Sequence, residues 1–247
     1  GCGLLPLRGH SNVQGIGSMG VVPRLKDAFF RELEHVVNVP MPNTPGMDTL
    51  ACLEAARKGD VRFALCLGGN LYGSNPDATF ATEAFSCIDQ VVHLSTTLNT
   101  GHAWGRGRET IILPVLPRDE ESQATTQESM FNYVRISDGG SSRHDGPRSE
   151  VDVISDIATR LLGTTGSIEW ESLRSHDAIR DLIARVVPGY EDIGDIEASR
   201  SEFQIAGRTF HAPKFATPTG RAQVQDVPLP REDDLQDDQL RLMTIRS

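Results

Sequence analysis

Three short clusters along the chain have the residue types of a nucleotide-binding rim. Gly68-Gly69-Asn70 follows the apolar run 61–67, and Ser95-Thr96-Thr97 follows Val91-Val92-His93-Leu94. Leu113-Pro114 closes the run that begins at Thr110, with Arg118 and Asp119 just beyond. Glycines let a backbone approach a ligand closely, and hydroxyl and amide groups give neutral hydrogen bonds. If the three runs are parallel strands, their carboxyl ends lie along one edge, which is where open α/β sheets bind ligands. A plain turn at Gly69 and Asn70 is the competing reading. The other chemical signals are negative. Gly15-Ile16-Gly17-Ser18-Met19-Gly20 has the letters of a dinucleotide fingerprint but neither the strand before it nor the helix directly after it that the fingerprint needs. His10, His93, His102 and His144 are scattered without zinc-ligand spacing, and His93 reads as a core residue of its strand. The cysteines at 2, 52, 66 and 87 form no Cys-x-x-Cys, and the last three sit among apolar residues as buried free thiols. No P-loop and no Gly-x-Ser-x-Gly elbow is present, and no protein metal ligand is assigned.

The elements that must position these clusters follow from periodicity. Leu25, Ala28, Phe29, Leu33 and Val36 keep one helical face, and Pro40, Pro42 and Pro45 end that helix. A second helix covers about 48–58 and stops at Gly59. Strands are expected at 61–67, 91–94 and 110–113, with a helix capped by Asp77 running to about Cys87. Residues 1–23 read as loop, and the polar stretch 117–149 as a long irregular segment. Helices return at 151–162 and at about 178–187, where Pro188-Gly189 ends the second. Short apolar strands alternating with helices predict a three-layer, Rossmann-like α/β fold, a parallel sheet with helices on both faces. That domain is expected over 1–200. Residues 201–247 are expected to form an irregular, extended linker with an acidic run at 231–238 and an apolar run at 240–245 that opens a following domain.

Composition bounds the function. The 247 residues carry a net charge of -10, with 38% hydrophobic and 23% charged residues. That balance is ordinary for a globular domain and argues against a general nucleic-acid binder, which needs a basic surface. No apolar run approaches the roughly 20 residues of a membrane span. No secretory leader opens the chain, which points to the cytoplasm. It starts Gly1-Cys2-Gly3 without Met and stops after an apolar run, so both ends read as cuts in a longer polypeptide.

Several segments, in order, carry a resemblance. Pro6-Leu7-Arg8-Gly9-His10-Ser11-Asn12-Val13-Gln14-Gly15 with Met19-Gly20 resembles a segment of molybdopterin oxidoreductases of the dimethyl sulfoxide reductase superfamily. The formate-dehydrogenase-like alpha subunits are the nearest match. Leu67-Gly68-Gly69-Asn70 with Pro76-Asp77 resembles their nucleotide loop. Ser95-Thr96-Thr97-Leu98-Asn99 with His102 resembles their second-strand motif, and Ile112-Leu113-Pro114 their third strand. Glu128-Ser129-Met130, Arg148-Ser149-Glu150, 187–192 and 215–222 also fit, whereas Thr125-Thr126-Gln127 departs from the pattern.

The resemblance implies bis-molybdopterin guanine dinucleotide with molybdenum or tungsten, held between two α/β domains of which this chain supplies the later part of one. It confines any [4Fe–4S] cluster to a region upstream, and it leaves a carboxyl-terminal barrel downstream. By position, Arg8 corresponds to an arginine that approaches the metal and could hold a small anionic substrate such as formate. His10 stands beside it, where formate dehydrogenases often carry Gln. Asn12 and Gln14 correspond to residues that bond cofactor or loop backbone. Gly68, Gly69 and Asn70 approach the guanosine diphosphate portion, and Ser95 and Thr96 its ribose or phosphate. Asp119 or Glu120 pairs with the guanine edge, and Glu150 is a further cofactor contact. The implied reaction is a two-electron redox step, with electrons passed to a separate electron-transfer partner. An α/β module that keeps the fold but works without metal, as a regulatory or assembly partner, is the alternative.

Overall fold

The apolar runs become a parallel sheet. In the computed structural model, which describes residues 10–42, 44–163, 167–206 and 214–228, β1 (Phe63–Leu67), β2 (Gln90–Ser95) and β3 (Glu109–Pro114) pair in that order, all parallel. Cys66 lies opposite His93 and His93 opposite Ile112; one step on, Leu67, Leu94 and Leu113 align. Side chains alternate between faces, so each such row belongs to one face. On the first face, Val91, Ala64 and Cys66 pack against Leu53 and Ala56 of α3 (Thr49–Arg57) and against Ala84 and Phe85 of α4 (Ala78–Ser86). On the second face, Val92 and Leu94 pack with Val115 and with Val153 and Ile157 of α6 (Glu150–Leu162). Helices therefore lie on both faces, as the alternation of strand and helix predicts, with Phe63, Leu65 and Leu67 of β1 left exposed on the second.

Local chemistry sets the helix ends. Asp48 accepts from the backbone N–H of Ala51 at 2.9 Å, and Asp77 from that of Phe80 at 2.9 Å, each satisfying a first-turn amide that the helix cannot. Gly59, just past α3, takes a φ of 83° that a side chain would resist.

Two segments depart from the sequence reading. Residues 1–23 are not all loop, because α1 (Val13–Ser18) forms within them. Gly15 and Gly17 are helical residues of α1, so the glycine pattern is not a dinucleotide turn. The stretch 117–149 is not irregular throughout. It holds a hairpin of β4 (Thr125–Glu128) and β5 (Tyr133–Ser137), and β6 (Phe203–Gln204) adds to β5, making an antiparallel sheet of three strands. The hairpin is polar outside and anchored inside by Val134, which is fully buried. Two aliphatic residues, Val134 and Ile136, in a five-residue strand leave too short a period to read. The apolar run 240–245 and the acidic run before it lie outside the described residues.

A second core forms behind this small sheet. Val134, Ile205 and Tyr190 join Val186 of α7 (His176–Val186) and Ile196 of α8 (Ile196–Ser199), with Phe29 and Leu33 of α2 (Asp27–Val37) packed against them. Buried Arg180 clamps α7 to the hairpin approach. Its Nη1 donates to the Ala124 carbonyl at 3.0 Å, and its Nη2 pairs with Asp177 and Glu197. A buried guanidinium is tolerable only with such partners. Cys52, Cys66 and Cys87 are free thiols as expected, but partly rather than fully buried. Among the described residues, no helix is long and apolar enough to cross a membrane.

The central strand sets the stability of the parallel sheet. Leu94 is 0% exposed between the layers, whereas Leu98, in the loop after β2, is 77% exposed. Leu94→Ala is expected to lower the unfolding free energy by about 2–5 kcal/mol. Leu98→Ala is expected to change it by less than about 0.5 kcal/mol. Urea denaturation of the two variants checks both.

Candidate functional site at the sheet rim

The strand order places the three loops at one edge. Gly68 and Gly69 turn the chain off β1 with φ of 65° and 67°, and a side chain added at either would meet open space. Their left-handed backbone, rather than crowding, is what calls for glycine. The Gly68 N–H donates to the Leu94 carbonyl at 2.8 Å, so the loop stays registered to β2. Asn70 works inside the loop. Its Nδ2 donates to Thr100 Oγ1 at 2.8 Å, and its Oδ1 accepts from the Gly73 N–H at 2.8 Å. Asn99 Nδ2 donates to the Gly69 carbonyl at 3.0 Å and joins the first loop to α5 (Thr100–Trp104). Gly73 and Gly101 face the Asn70 amide so closely that a methyl on either would collide with it.

His102 is a buried residue of α5 and part of its capping box. Its Nδ1 accepts from the Asn99 N–H at 2.9 Å. His93 is a core residue, as expected. It packs edge-on against His102 with ring centroids 4.9 Å apart, and its Nε2 has no hydrogen-bond partner. Burial lowers its proton affinity, and the neighbouring His102 lowers it further.

Beside the glycine loop, a cleft of about 410 Å³ opens over the ends of β2 and β3. It gathers residues from five places: Ser11 and Asn12, Thr96, Arg118, Thr125 and Thr126, and the start of α6 with Ser149 and Glu150. His176 and Glu121 close one side. Arg118 donates to Thr125 Oγ1 at 2.8 Å, Gln127 Oε1 at 2.6 Å and Ser137 Oγ at 3.1 Å. These acceptors are neutral, and among the described residues no carboxylate forms an ion pair with this guanidinium. Ser149 occupies the N-cap of α6 but does not cap it, and its buried Oγ has no partner. The first amides of α6 thus lie at the cleft without a side-chain cap, with the carboxyl groups of Glu150 and Asp152 in the same turn. His176 Nδ1 lies 3.1 Å from the Ala124 carbonyl, an acceptor, so that nitrogen carries the proton, and Nε2 lies 4.0 Å from Glu121.

The residues marked in the sequence divide accordingly. Thr96, Asn12 and Glu150 meet in the cleft, and Gly68, Gly69 and Asn70 lie at the adjoining loop. Ser95 is buried, and its hydroxyl donates to the Thr97 carbonyl at 2.8 Å, closing the turn. Gln14 lies elsewhere, in a separate cleft of about 490 Å³ between α1 and α2. Asp119 points away, paired with Arg143, and Glu120 is buried against the same arginine. His10 is exposed at the start of the described residues, and Arg8 lies outside them. Sequence reasoning missed Ser149 and His176 as cleft residues and took Thr125-Thr126 as a departure. The hairpin brings Thr125 and Thr126 to the rim, the bridge between Val115 and Arg148 brings Ser149, and the start of α7 brings His176.

One buried carboxylate holds the cleft's outer wall. Glu128 accepts from Ser18 of α1 at 2.6 Å, from Asn132 Nδ2 at 2.8 Å and from the Tyr190 hydroxyl. Its backbone N–H donates to Asn12 Oδ1 at 3.0 Å. Among the described residues no cation pairs with it.

Glu150 faces the opposite electrostatics. Burial raises its carboxyl above the ordinary range. A carboxyl with a raised folded-state value favours folding below its unfolded pKa, and that contribution is lost as pH rises through the folded value. Glu150→Gln is therefore expected to raise the melting temperature at pH 7–8 and to leave it unchanged near pH 3. Thermal melts of both proteins at the two pH values check this; a gain of equal size at both would mean that ionisation is not the cause.

No protein-family model matches the chain. Individual proteins do. It is 34% identical over 245 residues to the uncharacterized oxidoreductase Rv2900c of Mycobacterium tuberculosis, covering 93% of this chain and 31% of that protein. It is 31% identical over 231 residues to protein YdeP of Escherichia coli, covering 90% of this chain and 30% of YdeP. YrhE of Bacillus subtilis, provisionally named a formate dehydrogenase, is 26% identical over 138 residues, covering 51% of this chain and 13% of YrhE. The chain spans about a third of the length of the first two relatives. It is thus a distant relative of proteins that carry oxidoreductase and formate dehydrogenase names.

Proposed function

We propose that this chain is one wall of the cofactor cleft in a molybdopterin-dependent oxidoreductase. In this reading it holds a guanosine diphosphate portion of bis-molybdopterin guanine dinucleotide. The observation that carries the reading is the convergence of the Gly68-Gly69 loop, Thr96, Arg118 and the α6 N-terminus on one rim. The oxidoreductase names of the relatives support it.

The donor set fits such a group. A guanidinium whose bonds go to neutral acceptors, an uncapped helix start and a buried hydroxyl with no partner are suited to phosphate oxygens. Carboxylates suit the N–H edge of guanine. Since Asp119 and Glu120 are taken by Arg143, that role falls to Glu121 or Glu150 at the cleft. When bound, the cofactor supplies two-electron redox chemistry through molybdenum or tungsten. The chain's own residues bind and orient it. Asn12, fixed by Glu128, holds the start of α1 at the cleft. A small anionic substrate such as formate, and an electron-transfer partner, belong to the full-length protein in this reading.

The test is metal and pterin analysis of the full-length protein made in a host that supplies the cofactor. Molybdenum or tungsten together with pterin is expected. Folded protein with neither would reject the reading and favour an α/β module that works without metal. Arg118→Gln is expected to weaken cofactor retention by about ten- to a hundredfold, matching the roughly 1.5–3 kcal/mol of a charge-assisted bond. Arg108→Ala removes a partner of Asp89 at the opposite end of the strands and is expected to leave retention unchanged.

A further inference from the structure

The cleft between α1 and α2 encloses about 490 Å³ and shares no lining residue with the rim cleft. Its walls are apolar. Leu25 and Phe29 come from α2 and the turn before it, and Val187 from the chain after α7. Packing fixes these walls. Val187 belongs to the second core, against which Phe29 also packs. Gly20 passes so close that a methyl on it would lie 2.6 Å from Leu25 and 2.9 Å from Phe29. A concave, largely apolar space of this size with a few polar groups is the usual form of a small-molecule site.

Those polar groups are cationic or neutral. Arg24 and Lys26 stand at the cleft, and no carboxylate lines it. Among the described residues neither cation forms an ion pair, not even with Asp27, and no hydrogen bond engages the Gln14 side chain. Gln14, which the resemblance implies is a cofactor or loop contact, brings its amide here instead. The Ser18 hydroxyl is already spent, since it donates to Glu128.

Charge and size together define a ligand. An arginine fork takes a carboxylate in two parallel bonds, and a lysine adds a point charge. At about 30 Å³ for each water-sized group, the space admits on the order of fifteen non-hydrogen atoms. Formate fills only a small part of it and has no carbon body to meet the walls.

We propose that the cleft between α1 and α2 is a binding site for an organic carboxylate with an apolar body of aromatic size. Arg24 and Lys26 hold the carboxylate, the Gln14 amide donates to one of its oxygens, and the body lies against Leu25, Phe29 and Val187. This site does not depend on the cofactor reading, because binding to it is measured in protein with or without metal.

Calorimetric titration of the full-length protein with naphthoate tests it, with naphthamide as a neutral compound of the same size. Naphthoate is expected to bind, and the amide about tenfold or more weakly, because the charge-assisted bonds are lost. Arg24→Gln is expected to weaken naphthoate binding about ten- to a hundredfold. Ala28→Trp keeps both cations and fills the cleft, so it is expected to abolish binding. Both positions are exposed, where substitutions rarely disturb folding. No binding of millimolar naphthoate to the folded protein would overturn the proposal. Equal affinity for acid and amide would overturn it too, as would binding that either substitution leaves unchanged.

Discussion

A carboxylate buried without a cation is costly to place, and the arrangement around Glu128 follows from that cost. Removing a charge from water is tolerated only when polar donors replace the lost hydration. Here they come from α1, the β4–β5 turn and the segment after α7. Each donor is remote in sequence from at least one other, so the three segments can satisfy the charge only by folding together. The same residue's backbone holds Asn12, and with it the entry of α1 onto the cleft. The parallel sheet supplies the floor of the rim, but its outer wall rests on this one buried side chain.

Legibility in the sequence tracked apolar runs. β1, β2 and β3 were readable because each is a short apolar run bounded by turn residues, even where β1 stays exposed, and Asp77 and Gly59 marked helix ends through local backbone chemistry. The hairpin was not readable. Thr125-Thr126-Gln127 has no apolar alternation, and its strands are held by Arg118, Val134 and Glu128, all contacts set by the tertiary fold. α1 escaped notice for a related reason: it is short, glycine-rich and fixed by Ser18 and Asn12 to a residue more than a hundred positions away.

The site was partly legible for the same cause. Gly68 and Gly69 announce themselves, since a left-handed turn after a strand has few other solutions. Ser95, Asn70 and Asp119 have the correct types and lie close to the predicted place, but their polar atoms are consumed by the loops themselves. Residue type and spacing bring a side chain near a rim. Which of its atoms remain available is decided by the neighbours, and those are known only once the chain is folded.

The fit of Asn70 against Gly73 and Gly101 has an evolutionary corollary. Three positions share one small volume, so none can drift alone. A larger residue at 73 or 101 would be accepted only after position 70 had given up its amide, and that loss would free Thr100 and the Gly73 N–H together. Among descendants of this sequence, change at these positions should therefore arrive as linked sets, and the order in which the set is assembled should be constrained: the side chain leaves first, and the glycines follow.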